Sequence, residues 1–331
     1  MAKYELAVDL GSSHITIFLK GSGLVLREPT IAAVVKQKNK FEIIESGFQA
    51  KNLMTRSLGG ARLVFPVKEG TVADIDILSG LLKIYLDRIM TKSARQKAGA
   101  LVLVSSALTG PERKEVEKAF AKAGIKDVFL VESPLALIAY TDSAGGLFVD
   151  IGGGKSEIAS VTRHGIAAGY SVNIAGNAMN NAIIDMVTER YRLKIGDYTA
   201  ERAKISSASL YDNDKGEFEA GGRDLIDGSP KTAQISSKNL KAAIAPLAEY
   251  LVEVIESVLA ATPPELAAEI GRRGLYLSGG TAALPGLKEF LSARLSMPVT
   301  PLADIENAVA IGGGRLLSDN RLLSDLTGIT V

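Results

Sequence analysis

Asp9 ends a short apolar run and is followed by Leu10-Gly11-Ser12-Ser13; Asp150 ends a second such run and is followed by Ile151-Gly152-Gly153-Gly154. A turn of small residues lets backbone N–H groups approach an anion, because larger side chains would block the way. The carboxylate before each turn has a separate use. Asp9 and Asp150, facing each other across a cleft, suit a hydrated Mg2+ that bridges the β- and γ-phosphates of a nucleotide. A third turn, Ser278-Gly279-Gly280-Thr281, also follows an apolar run and is placed to take the α-phosphate or the nucleoside. One such cluster is equally well explained as a tight turn. Three in order, each after an apolar run, point to a phosphate site. Other phosphate devices are excluded. No Gly-x4-Gly-Lys-Ser/Thr run exists. The 152–154 glycines precede a strand, whereas a Rossmann fingerprint opens a helix.

The elements around these turns must aim them. Residues 4–9 and 15–19 read as two strands joined by the first turn, a β-hairpin. Residues 147–150 and 158–162 repeat the arrangement, with 166–172 as a further strand. Strands are also expected at 24–26, 30–35, 100–104, 128–131 and 275–277. Apolar spacing predicts helices over 74–90, with Asp74 as N-cap, and over 110–123, with Pro111 in the first turn. Helices follow at 134–140, 177–190, 199–209, 239–261, 264–270 and 286–295. Residues 41–48 read as short and mixed, and 212–230 as loop or hairpin. A strand–Asp–glycine-turn–strand device that occurs twice implies two similar lobes with a cleft between them.

The chain has 331 residues, more than one core comfortably holds. Lys plus Arg number 38 against 37 Asp plus Glu, so no basic face for nucleic acid is expected. Cysteine is absent and only His14 and His164 are present, which excludes thiol chemistry and argues against a zinc centre. No signal peptide or spanning segment is read, so the expected location is the cytoplasm.

The paired Asp-Gly turns and the late Gly-Gly turn resemble the superfamily of actin, sugar kinases and seventy-kilodalton chaperones. Within it the chain resembles the MreB family of bacterial actin homologues along nearly its whole length. The most specific stretches are Asp9-Leu10-Gly11, Gly23 to Pro29, Gly70 to Asp74, Asp150 to Glu157, Thr199 to Lys204 and Pro263 to Ala267. The resemblance implies an α/β, actin-like two-lobed ATPase fold with duplicated mixed-sheet cores and two smaller outer subdomains. The first lobe core would be 1–31, 71–144 and 315–331, and its outer subdomain 32–70. The second core would be 145–180 with 240–314, and its outer subdomain 181–239. By the same resemblance Asp9, Gly11, Ser12 and Ser13 meet the phosphates of ATP or ADP from one lobe. Asp150, Gly152, Gly153 and Gly154 meet them from the other. Glu201 and Lys204 contact adenine and ribose, and Gly279, Gly280 and Thr281 line the nucleotide. Taken without the family, Glu201 and Lys204 are an i,i+3 pair on a solvated helix face.

The sequence departs from its family at the position that orients the attacking water. Relatives carry Glu before the proline of the strand-to-helix turn; here the run is Val131-Glu132-Ser133-Pro134. Serine cannot act as a carboxylate base, so ATP binding is expected with slow hydrolysis. Glu132 and Glu157 are the remaining candidates for the task, and Ser133 is otherwise a helix cap. Lys155 stands where a threonine is usual and adds a positive charge near phosphate. Gly176-Asn177 replaces Gly-Asp. The resemblance implies a filament homopolymer and cell-shape or cytoskeletal accessory partners. It also implies a site at the inner face of the cell membrane. The start is too short for an anchoring helix. Residues 91–98, read as an exposed loop, hold three basic residues and no large apolar one, which permits only a weak membrane-surface contact. Leu316, Leu323 and Leu326 are expected on one helical side, packed on the first lobe. Competing functions are a small-molecule kinase, for which no catalytic Asp is found, a chaperone-like ATPase, for which no peptide-binding segment follows, and a non-polymerising ATP-binding adaptor.

Overall fold

The computed structural model describes residues 4–38, 40–55 and 59–329. Residues 1–3, 330 and 331, included in the expected first lobe, lie outside the described residues, as do 39 and 56–58 of the expected outer subdomain.

Two five-stranded sheets carry the molecule, and they share one topology. In the first, Tyr4–Leu10 pairs antiparallel with His14–Leu19, which pairs antiparallel with Gly23–Pro29. On its other side Tyr4–Leu10 runs parallel to Gly99–Val104, followed by Asp127–Glu132. In the second, Gly145–Ile151 takes the central place, flanked by Ser156–Thr162 and Gly165–Val172 on one side and by Leu275–Ser278 and Val299–Pro301 on the other. The central strands are buried on both faces, so they are apolar without alternation: Leu6, Ala7 and Val8 are inaccessible, as are Leu147 and Val149.

Helices Ile75–Ile89 and Gly110–Ala123 cover one face of the first sheet. Asp74 caps the first of them, accepting from Ile77 N at 3.0 Å, a contact worth ~1 kcal/mol. Helices Ser133–Thr141 and Ala308–Leu316 sit in a core that joins the lobes. It contains Ala7 and Leu103 of one sheet and Phe148 and Val161 of the other. The glycines 312–314 permit this packing. A Cβ on Gly312 would lie 2.0 Å from the Ala136 carbonyl oxygen, and one on Gly314 would lie 2.4 Å from the Phe18 ring. Helix Ala308–Leu316 therefore packs on the first lobe, whereas the expected boundary at 314/315 cuts through it.

Two three-stranded sheets form outer layers. One comprises Lys40–Ser46, Ala32–Gln37 and Arg62–Val64; the other Leu193–Lys194, Glu217–Asp224 and Pro230–Ser236. The mixed stretch 41–48 resolves into nearly all of strand Lys40–Ser46 and the start of helix Gly47–Asn52. The expected loop at 91–98 is mostly helix, Lys92–Lys97, capped by Thr91 through Ala94 N at 3.2 Å. Its Arg95 is buried and ion-paired with Asp87. Only two of the three basic residues, Lys92 and Lys97, face outward there. Leu316, Leu323 and Leu326 are buried together as expected, but on two helices, Ala308–Leu316 and Asn320–Thr327. No helix among the described residues is long and apolar enough to cross a membrane.

Candidate functional site

The two acidic hairpins are built alike down to single bonds. Gly11 N donates to His14 O at 3.0 Å, and Gly152 N donates to Lys155 O at 2.9 Å. These bonds close the turns and consume both N–H groups. The next ones, on Ser12, Ser13, Gly153 and Gly154, donate to no described residue and remain free for an anion. The turns also touch. A Cβ on Gly153 would stand 2.5 Å from that of Ser13, and one on Gly154 2.5 Å from Ser12 Oγ. Ser12 Oγ in turn accepts from Gly70 N at 2.9 Å.

Strand register explains the electrostatics. Asp150 stands opposite Glu157 on one neighbour and beside Ser278 on the other. Its carboxyl is pushed up to about 6: burial raises it most, the Ser278 hydroxyl at 2.7 Å lowers it, and Glu157 raises it again. Asp9 is pushed up to about 7 by burial and by the Asp150 charge, against the pull of Arg27. No described residue donates a hydrogen bond to its side chain. Two buried carboxylates that repel each other, with a single hydroxyl donor between them, fit a divalent cation. No group of three or more His, Cys, Asp or Glu converges among the described residues. The protein would thus supply these two carboxylates, leaving phosphate and water to complete the shell.

The hairpins floor a cavity of about 230 Å³. Lys204 closes one side, donating from Nζ to Gly176 O at 2.8 Å. Burial holds its amine down to about 8, with Glu201 opposing and Lys51 reinforcing. Thr281 Oγ1 donates to Gly152 O at 2.7 Å, and Gly279 N donates to Ile305 O at 2.7 Å, tying the third turn to the second lobe. Gly279 needs φ +90° for this, and Gly280 follows on the cavity wall. Lys155 reaches Ser105 Oγ at 3.4 Å.

Glu201 and the three candidates for water orientation are less free than the sequence implies. Ser133 lines the cavity, but its hydroxyl donates to Val104 O at 3.0 Å. The N-cap is Glu132, so Ser133 is not the cap. Glu132 turns away and accepts from Arg113 at 2.7 Å. Glu157 is buried and accepts from Ser105, Ser106 and Ser171. Glu201 is ion-paired at 2.7 Å with Lys51, which comes from the opposite lobe.

Two lining residues, Arg27 and His14, were not singled out from the sequence. Asp9 pairs with Thr16 and Thr16 with Arg27, so the three form one row across the sheet. Working out the hairpin register would have found Arg27. Its guanidinium holds Glu306 of the second lobe at 2.8 Å, while Nε has no partner. His14 is held down to about 3 by burial, Arg27 and Lys51, and is neutral at ordinary pH.

Comparison with known proteins agrees with this arrangement. The sequence model of the MreB/Mbl protein family matches residues 3–325. The chain is 32% identical over 321 residues to the cell shape-determining protein Mbl of Bacillus subtilis (strain 168), covering 95% of this chain and 96% of that protein. The crystal structure of MreB5 of Spiroplasma citri bound to AMPPNP superposes with a TM-score of 0.87 at 26% identity, covering 94% of this chain and 95% of that one. The MamK double helical filament superposes with a TM-score of 0.80 at 19% identity, over 95% and 98% of the two chains, a likeness of fold.

Proposed function

Since the chain belongs to the MreB/Mbl family of cell shape-determining proteins and has its actin-like fold, we propose that it is a filament-forming cytoskeletal protein switched by ATP-Mg in the interlobe cleft. The observation that carries this reading is the meeting of two equivalent acidic hairpins with four free N–H groups and two mutually repelling carboxylates. Ser12, Ser13, Gly153 and Gly154 take the phosphates through the backbone, while Gly11 and Gly152 close the turns that aim them. Asp9 and Asp150 hold the cation, which screens the phosphate charge. Lys204, Glu201 and the 279–281 turn take ribose and base, once Glu201 is released from Lys51. A ligand gripped from both lobes favours the closed cleft, and cleft angle is what a polymer interface can sense.

Hydrolysis is slow in this reading. Ser133 offers no carboxylate, Glu132 is turned to Arg113, and Glu157 already accepts three hydroxyls. Glu157 instead fixes Ser105 on the cavity wall, where its hydroxyl orients water without taking its proton. Self-association is supported by the fold shared with a filament. We place the protein in the cytoplasm, with cytoskeletal accessory partners. A membrane-surface contact rests on Lys92 and Lys97, since Arg95 is buried. Sedimentation with ATP-Mg, ADP-Mg and neither, followed by negative-stain microscopy, tests the reading. Nucleotide-dependent pelleting into filaments is expected. ATP binding without pelleting at any concentration would favour the adaptor alternative, and ATP-dependent phosphorylation of a small molecule the kinase.

A further inference from the structure

Glu157 stands on strand Ser156–Thr162 of the second lobe and is 5% exposed. It accepts from three serines: Ser105 and Ser106 of the first lobe, and Ser171 of its own sheet at 2.8 Å. A carboxylate held in this way is fixed against a hydroxyl and oriented by further groups, the arrangement of a nucleophile with its base. Of the three serines, only Ser105 lines the phosphate cavity. Its Oγ also accepts, from Ala107 N at 3.2 Å and from Lys155 Nζ at 3.4 Å. These donors support the negative charge that grows on the oxygen when its proton goes to Glu157. Lys155 lines the same cavity, where its ammonium draws a phosphate toward that oxygen. The neighbouring wall residue, Ser133, offers no carboxylate to activate water in its place.

We propose that Ser105 accepts the γ-phosphoryl group of ATP, so that the chain phosphorylates itself at this hydroxyl; the inference rests on the ATP reading of the cleft. Ser105 Oγ attacks Pγ. The Oγ–Pγ bond forms as the bond from Pγ to the β,γ-bridging oxygen breaks. The hydroxyl proton passes to Glu157 Oε1, and ADP leaves with the electron pair of the broken bond. Ser105 competes with water in this step and has the advantage of being already held in place. The product carries roughly two negative charges where the next γ-phosphate would lie. A modified subunit therefore keeps ADP and takes no further ATP.

The full chain, first treated with a phosphatase, is incubated with Mg2+ and ATP labelled at the γ-phosphate. Label that stays with the denatured chain is expected, with a mass gain of one phosphoryl group and fragment sequencing that locates it at Ser105. ATP labelled at the α-phosphate should leave none. Ser105→Ala should incorporate nothing, and Ser105→Thr, which keeps a hydroxyl, should regain the label. Glu157→Gln keeps the shape of the base and should slow incorporation by about a hundredfold or more. A fluorescent ATP analogue, titrated against each protein, reads nucleotide binding separately. Should Ser105→Thr fail to bind it, Ser105→Ala and the mapped position decide. Wild type that binds no nucleotide would sink the reading of the cleft and this proposal together. Binding without label, label on another residue, label persisting in Ser105→Ala, or an unslowed Glu157→Gln would overturn this proposal alone.

Discussion

Replacing Asp9 by Asn should make the nucleotide-free protein more stable and the nucleotide-loaded protein less so. Asp9 sits at about 7 against 3.8 for an ordinary aspartate. The folded protein therefore binds this proton more tightly than the unfolded chain does. For an acid raised in this way, stability falls as pH rises from about 4 to about 7 and is flat above. The difference of about three pH units corresponds to at most ~4 kcal/mol at pH 8. Asparagine has the same shape and no charge, and Asp9 accepts no hydrogen bond that it would lose. With EDTA and no nucleotide, Asp9→Asn should thus raise the urea midpoint at pH 8 by roughly 1 M, for an m-value near 3 kcal/mol/M. The gain should shrink toward zero as pH falls to about 4. Saturating ATP-Mg should reverse the order, because only the wild type gains the ligand's binding free energy. A variant no more stable than wild type at pH 8, or a gain that does not change with pH, would refute the frustrated acidic pair.

Ser133→Glu supplies the missing carboxylate at the cavity wall, and steady-state phosphate release by polymerised protein should rise by about tenfold or more. Gly154→Ala places a Cβ 2.5 Å from Ser12 Oγ and forces the hairpins apart. Fluorescent-nucleotide titration should show affinity reduced by about an order of magnitude, whereas Gly110→Ala, with nothing within 4 Å, should leave it unchanged. Lys204 sits at about 8 instead of 10.5, so the free protein loses this charge as pH rises through 8. An anionic ligand wants the protonated amine; affinity should therefore be level below pH 8 and fall above it, and Lys204→Met should flatten that profile while lowering affinity overall.

The acidic hairpins were legible because they are local and occur twice. Each needs only an apolar strand, one carboxylate and a turn too small to obstruct an anion. The two sheets then repeat the same strand order, so the inference from repeat to paired lobes holds at the level of topology. Arg27 was not legible in the same way. It lies 18 residues beyond Asp9 and reaches the site only through two strand pairings, Asp9 to Thr16 and Thr16 to Arg27. Which N–H groups are free was hidden too, since it depends on Gly11 and Gly152 closing their own turns. Arg95 misled for the opposite reason. Basic residues in a polar stretch suggest a solvated loop, yet Thr91 caps a short helix there and turns Arg95 inward onto Asp87.

Some unpaired polar groups of this molecule lie in the cleft and others, Arg95 Nε and Asn307 Oδ1, lie away from it. Arg27 and Asp9 line the phosphate cavity, Arg27 with Nε unpaired and Asp9 with no donor to its carboxylate. Other polar groups close on one another, within a lobe, as Ser156 on Ile174 O and Thr262 on Ser160, and between lobes, where Ser105 and Ser106 of the first donate to Glu157 of the second. Burial without a partner is costly, and at the acidic pair a bound cation would relieve it. Only two side-chain ion pairs described above bridge the lobes, Lys51–Glu201 at the mouth and Arg27–Glu306 at the floor, and all four side chains are partly exposed. Pairs of that kind contribute ~1 kcal/mol or less each. The apolar core around helices Ser133–Thr141 and Ala308–Leu316 holds the hinge, while the cleft above it is closed by these pairs together with the bonds of Ser105 and Ser106 to Glu157 and of Asn173 to Glu69. All of these contacts are polar, and a ligand that satisfies the acidic pair and the free N–H groups adds to them only in the closed cleft, so cleft angle can follow ligand occupancy.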